Sequence, residues 1–307
     1  MEKVLKNNSE GKVSMEREER EEREEEGEEK KKKLKLERDS GDSGGGVSKG
    51  VVSDKDRKKY VSQRDYELLK FCFDQYFLSR KQIGQWLKLK SNISSEKALA
   101  IITKRVMNFL LKSHFLAAQK ASVLKCQEVY CVTKDGFLLL MDCGLLPDFA
   151  SYVIIDKEKI NHDSATTDIR LVWEEIAKIE SWTSDRLLRT DDNDHIPDAE
   201  MVYYSAKKNQ SYTFAIEVEL SQKSQERYRR KFESYQASSF SWVFYFALCS
   251  KLQGKLLEYS KGVTNKVFVC TIKDFLQKKS EAVLVSNAEQ MVIGSRFLQE
   301  AKHAQRE

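Results

Sequence analysis

No Cys-x-x-Cys pair and no pair of histidines at metal-ligand spacing occurs in this chain, which excludes a structural zinc site of the usual kind. A glycine-rich loop ending in Lys-Ser/Thr is missing, and so is Gly-x-Ser-x-Gly. P-loop nucleotide chemistry and hydrolases built on a nucleophile elbow are therefore excluded. Histidine is scarce, at four residues, too few for a cupin-type metal site. No apolar run reaches the ~18 residues needed to span a bilayer, and the opening residues lack a secretory signal pattern. The expectation is a soluble, cytoplasmic protein in a reducing compartment, with no membrane partner. Six cysteines (Cys72, Cys126, Cys131, Cys143, Cys249, Cys270) lie partly inside apolar runs and read as free thiols. Only two prolines occur; Pro147 marks a domain boundary, and Pro197 directly precedes Asp198.

Charge is what the chain has in abundance. A third of its 307 residues are Asp, Glu, Lys or Arg, and the formal net charge is +5. That balance suits a polyanionic partner. The charge is unevenly placed. Residues 1–54 hold a Glu/Arg/Lys run from Met15 to Lys35 and a Ser/Gly/Asp stretch from Asp39 to Gly50. Too little apolar surface is present there to offset chain entropy, so a disordered tail and linker is expected.

Residues 55–144 change character. Tyr66, Leu69, Phe73 and Phe77 recur at helical spacing, predicting a helix over 65–77. A second is predicted over 81–89, and a third begins after Ser94 or Ser95 with Leu99, Ile102, Val106, Phe109 and Leu110 inward. Two extended runs, 115–118 and 128–133, follow, then a helix opened by Thr133-Lys134-Asp135-Gly136. Three helices followed by a two-stranded wing is a winged helix, whose third helix lies in the major groove of DNA. Outward positions of that helix are Lys97, Lys104, Arg105, Asn108 and Lys112, with Lys88 and Lys90 just before it. Lysine and arginine there reach phosphates, while arginine or asparagine read base edges. The same pattern also fits a solvated helix of a protein-docking module.

After a connector over 145–161, a second domain is expected over 162–276, with 277–307 as a tail. Its pattern predicts a helix over 168–180, a strand over 182–188, a hairpin, a helix over 225–236, a strand over 242–249, a helix over 253–260 and a strand over 266–271. This α-β-β-β-α-β-α-β order describes an α/β (α+β) sandwich around a mixed sheet. The hairpin organises it. Strands over 196–205 and 211–220, joined at Lys207-Lys208-Asn209-Gln210, place Asp198 opposite Glu219 and Glu200 opposite Glu217. One face then carries Ala199, Met201, Tyr203, Phe214, Ile216 and Val218, and the other carries four acids. Like charges across a sheet repel. Mg²⁺ or Mn²⁺ on carboxylate oxygens would offset that repulsion, and a solvated acidic face is the plainer reading.

Pro197-Asp198 on one strand, Glu217-Val218-Glu219 on the next, and a basic helix after it resemble the PD-(D/E)XK nuclease superfamily. The ordered set His162-Asp163, Asp168-x-Arg170, Trp182, Pro197-Asp198-Ala199, Ala215 to Glu219, Lys231 and Tyr235 resembles the bacterial plasmid replication-relaxation proteins over about residues 60–275. The resemblance implies a winged helix followed by a restriction-endonuclease-like α-β-β-β-α-β domain, with Asp198 and Glu217 as metal ligands and Glu219 and Lys231 as further catalytic residues. Glu219 stands where the superfamily carries lysine, so Lys223 or Lys231 would have to take that place. Arg227 and Arg230 would hold the DNA backbone, Glu175 is a third ligand candidate, and His162 or His195 could assist.

Three readings share these residues. The first is a double-stranded-DNA-binding protein of plasmid or mobile-element replication and relaxation, with metal-dependent nicking activity, working alongside other replication or mobilisation proteins. The second is a transcriptional or copy-number regulator whose nuclease-like domain only binds DNA or forms a homodimer. The third is a protein-binding adaptor.

Overall fold

In the computed structural model, residues 60–91, 93–121, 127–152, 155–189, 195–205, 207–295 and 297 are described. The charged tail expected over 1–54, the polar loop Thr190–Asp194 and the end of the chain after 297 lie outside them. All described residues fall within one compact unit, Asp54–Glu307.

The first half opens with α1 (Gln63–Asp74), started by a capping box in which Ser62 and Asp65 satisfy each other's backbone N–H groups. A two-residue strand β1 (Leu78–Ser79) leads into α2 (Arg80–Ser91), and α3 (Glu96–Lys112) begins at the Ser95 cap. Strands β2 (Leu116–Ala121) and β3 (Gln127–Val132) pair antiparallel, and β1 adds to β3, giving the order β1-β3-β2. The short β1 has no counterpart in the sequence pattern. Thr133 caps α4 (Lys134–Asp142), and a Cβ on Gly136 would collide with the Phe115 carbonyl oxygen. Leu68, Phe71, Trp86, Leu110 and Leu139 form the core of this half, and Leu171 from the second half packs into it.

The second half starts with α5 (Ile160–Ile176), eight residues earlier than periodicity predicts. Strand β4 (Ile179–Ser184) is likewise early, and one helical turn, α6 (Asp185–Leu188), occupies the end of the expected strand. Then come β5 (Ala199–Ser205), β6 (Gln210–Glu219), α7 (Gln225–Ala237), β7 (Trp242–Ala247), α8 (Ser250–Ser260), β8 (Val267–Thr271) and α9 (Ile272–Lys278). Two further strands, β9 (Val283–Val285) and β10 (Gln290–Val292), lie within the stretch expected as tail. They complete a seven-stranded mixed sheet in the order β10-β9-β8-β7-β6-β5-β4, parallel only at β6–β7 and β7–β8.

Both faces of the sheet are covered. Trp173 of α5 and Phe275 of α9 pack on the face carrying Phe214, Ile216, Phe244 and Phe268. Tyr228 and Phe232 of α7 and Leu252 and Leu256 of α8 pack on the face carrying Val243, Tyr245 and Val269. The two parallel crossovers thus place their helices on one side, as a constant handedness requires.

The hairpin register differs from the expected one. Ser205 pairs with Gln210 and Ala199 with Ile216, so the register is shifted by two residues, Ser205 meeting Gln210 where Tyr212 is expected. Asn209 adopts a left-handed conformation (φ 49°), which a short polar side chain tolerates and which tightens the turn. A slip of two residues leaves every side chain on its expected face because the strand period is two. The cross-strand acid pairs do change: Glu200 faces Ala215 rather than Glu217.

Candidate functional site

Strand β6 is where the antiparallel part of the sheet meets the parallel part. At such a switch point the crevice beyond the strand's carboxyl end is open to ligands. Here it is a cleft of ≈ 740 Å³ floored by Asp198 and Glu217 to Ser221.

Asp198 sits immediately before β5. Pro197 offers no N–H, and the Asp198 carbonyl accepts from Asp185 N at 3.0 Å, fixing the strand's start. The β5–β6 ladder ends at Ala199 and Ile216, and Val218 N donates instead to Asp198 Oδ2 at 2.7 Å. His162, in the first turn of α5, lies with Nε2 3.1 Å from the same oxygen and Nδ1 3.2 Å from Asp163 Oδ1. Burial opposes charge on His162, but hydrogen bonds and charge from Asp163 and Asp198 outweigh it and raise its pKa to about 10. The two acids thus favour its protonated form. Burial would also raise the Asp198 carboxyl, yet His162, Lys231 and the Val218 N–H hold it below the usual carboxylate range. Asp163 goes the other way, pushed up by burial despite His162. Asp198 is thus the acid of this trio kept firmly ionised.

Glu217 is 1% exposed and points to the α7 side of the sheet. Lys231 Nζ lies 2.5 Å from its Oε2, and the Tyr235 hydroxyl donates to its Oε1. Glu219 accepts from the Tyr228 hydroxyl at 2.6 Å and from Lys223 at 3.2 Å. The geometry explains the pattern. Glu217 and Glu219 are about 7 Å apart along the strand, and α7 runs antiparallel to it with Tyr228, Lys231 and Tyr235 on one stripe. Burial opposes the Lys231 charge, while Glu217 and Asp198 raise its pKa overall. Burial and Glu217 together push the Tyr235 hydroxyl well above its ordinary value. His195 Nε2 stands 3.4 Å from Glu217 Oε1 with its ring edge-on to Tyr235.

The cleft therefore brings together Asp198, Glu217, Glu219, Lys231, Lys223, Arg227, His162 and His195. Arg230 lines an adjoining hollow and is paired with Glu226 at 3.0 Å. Glu175 is not with them. It pairs with Lys279 at 2.6 Å, because α5 starts at Ile160 and thirteen residues of helix carry Glu175 about 20 Å beyond His162. Glu200 lines no part of the cleft. Asp168, Arg170 and Trp182 lie at the junction of the two halves: Asp168 accepts from Gln82 at 2.8 Å, Arg170 binds Glu174 at 2.9 Å, and Trp182 is buried beside Arg170. Periodicity alone makes Tyr228 and Tyr235 apolar inward residues. Their hydroxyls are the groups that hold the two glutamates, and tyrosine spaced by seven around a lysine, opposite Glu-x-Glu, was the available signal. Lys159 and Arg189 on the cleft wall were also missed.

Among the described residues no group of three or more His, Cys, Asp or Glu side chains is arranged to hold a metal ion alone. Asp198 and Glu217 line the same cleft, and the charges of both act on Lys231. On α3, Lys97, Lys104, Arg105, Asn108 and Lys112 are all exposed, and none of the four cations has a carboxylate within 4 Å among the described residues. No described helix is long and apolar enough to cross a membrane. No family model, no curated protein and no solved structure matches the chain.

Proposed function

We propose that the chain is a DNA-binding protein with a metal-dependent phosphodiester-nicking site in the cleft at the end of β6, working in plasmid or mobile-element replication or relaxation. On this reading residues 60–144 act as a winged helix and 160–297 as a nuclease-like domain. The observation that carries it is that Asp198, just before β5, Glu217 of β6 and Lys231 of α7 line one cleft, with Lys231 paired to Glu217 and influenced by the charge of Asp198. Lys231 stands in for the lysine that Glu219 replaces in the superfamily pattern. Two carboxylates, completed by water and a substrate phosphate, are a normal set for Mg²⁺ or Mn²⁺, so Asp198 and Glu217 fit the ion. When bound, the ion would supply charge neutralisation at the phosphate and an acidified water. The chain's own part follows from the geometry. His162 and Val218 N–H orient Asp198, Tyr235 and His195 fix Glu217, and Lys231 presents a cation to a phosphate entering the cleft. His162, held between Asp163 and Asp198, is placed to donate to Asp198 rather than to act as a base.

Incubation with supercoiled plasmid tests this reading. With Mn²⁺ the wild type is expected to yield open circles, EDTA to prevent it, and Asp198→Asn, Glu217→Gln or Lys231→Met to lower the rate at least about a hundredfold. Intact plasmid in the wild-type lane would sink it. The second reading, a non-catalytic regulator, draws on a specific observation: Asp198, Glu217 and Glu219 each already have a protein cation within 3.2 Å. Metal-indifferent, salt-sensitive DNA binding without nicking would favour it.

A further inference from the structure

Most cations around the cleft are spoken for. Arg189 pairs with Asp185 at 2.7 Å, Lys223 with Glu219, Lys231 with Glu217, His162 with Asp163 and Asp198, and Arg230 with Glu226. Two are different. Lys159, at the start of α5, and Arg227, in the first turn of α7, have no carboxylate within 4 Å among the described residues, and both are exposed. Lys159 starts α5 and Arg227 lies at the start of α7, helices on opposite faces of the sheet, and both line the cleft together with Asp198 and Glu217. Pairing neutralises a cation locally, so among the described residues of the cleft these two carry the uncompensated charge available to an incoming anion. A second hollow, lined also by Ser224, Glu226 and Arg230, shares His195, Arg227 and Lys231 with the cleft, so an open path continues past Arg227.

Among the described residues the lining of both hollows contains no Phe, Tyr or Trp, and the imidazoles of His162 and His195 lie against Asp198 and Glu217, so no large aromatic face is offered there on which a base would stack. We propose that Lys159 and Arg227 grip the phosphate backbone of one nucleic-acid strand from the starts of the two helices, holding it across the acidic floor without reading its bases. This rests on the nucleic-acid reading of the site and adds how the strand is held. It also divides the labour of recognition: the cleft is indifferent to sequence, and discrimination among sequences falls to α3.

Affinity of the full chain for two labelled duplexes of unrelated sequence, in EDTA and over about 50 to 200 mM salt, tests the grip. Each phosphate left without its protein cation makes the slope of log affinity against log salt shallower by about 0.9. Lys159→Ala with Arg227→Ala is expected to weaken binding of both duplexes equally, by tenfold or more at the low-salt end. The slope should become shallower by about 1.8. Lys278→Ala, a surface cation on α9 paired with Asp274, is expected to leave both unchanged. An unchanged slope in the double variant overturns the proposal, as does a weakening confined to one duplex. Nicking by the wild type is scored separately. A wild type that does not nick, with a double variant of shallower slope, leaves the grip standing and removes the hydrolytic reading. Nicking with an unchanged slope does the reverse.

Discussion

Glu200 lies two residues beyond Asp198 on the same strand face, yet its surroundings are of another kind. Its neighbours across the sheet are Thr183 and Ala215, and it has no ion-pair partner among the described residues. Burial raises its carboxyl above the usual glutamate value. An acid whose pKa is raised on folding costs stability at pH values above that pKa, and the cost disappears as pH falls through it. Glu200→Gln is therefore expected to be more stable than wild type in urea at pH 7.5, with the gap closing below about pH 4, near the ordinary glutamate pKa. A less stable glutamine variant at pH 7.5 would show that the carboxylate has a compensating partner. Asp198 is the counter-example: burial opposes its charge too, yet its pKa is lowered because His162, Lys231 and a backbone N–H face it. Which acid carries a partner is a property of the fold, and it was not legible in a pattern that placed all four acids on one patch.

At the scale of elements, periodicity carried well where a segment faces the core on one side. The predicted extents of α1, α2, α3, α7, β7 and β8 fall within a few residues of those observed, since each has a clean apolar stripe or a continuous apolar run. Three features escaped. The first half of α5 is polar because it lies between the cleft and the first half of the chain, so its helical period carries polar contacts: His162 toward Asp198, Ser164 and Asp168 toward Gln82, Thr167 toward Gln75. Strand β1 has two residues, too short for any period. Strands β9 and β10 are three residues each, and their contribution is long-range: Leu284, Met291 and Ile293 join the core, and Phe297 packs edge-on against Trp173, Tyr203 and Phe214. On the proposed DNA-binding reading, the surface of helix α3 matters more than its core. Lys104→Ala with Arg105→Ala is expected to leave stability within about 0.5 kcal/mol, as surface changes do. The same pair should make the salt slope of duplex binding shallower by about 1.8. Equal slopes for variant and wild type would remove α3 from the interface.

For the whole molecule, the sequence suggested two domains with a connector, and the structure joins them through shared elements. Leu171 of α5 sits in the core of the first half, Gln82 of α2 bonds Ser164 and Asp168 of α5, and the Tyr76 hydroxyl bonds Asp185 at 3.1 Å. Asp185 also pairs with Arg189, on the cleft wall. The firmest cross-link is Arg186 of α6. Its guanidinium donates to the Phe73 carbonyl at 2.9 Å and the Ser151 carbonyl at 3.1 Å, and lies 3.7 Å over the Phe73 ring. These contacts bind the end of α1 to the turn that leads toward Asp198, so the two halves should open together. Wild type is expected to unfold in one step, with amides of β3 and β7 losing hydrogen-exchange protection at the same urea concentration. Removing two charge-assisted hydrogen bonds and a cation–π contact in Arg186→Ala should cost about 2 to 4 kcal/mol. Lysine at that position should restore only part of it, because an ammonium cannot fork to two carbonyls and stack as well. Protection lost in β3 while β7 keeps its own would mean that the halves are independent, and that the cleft's geometry owes nothing to the helices before it.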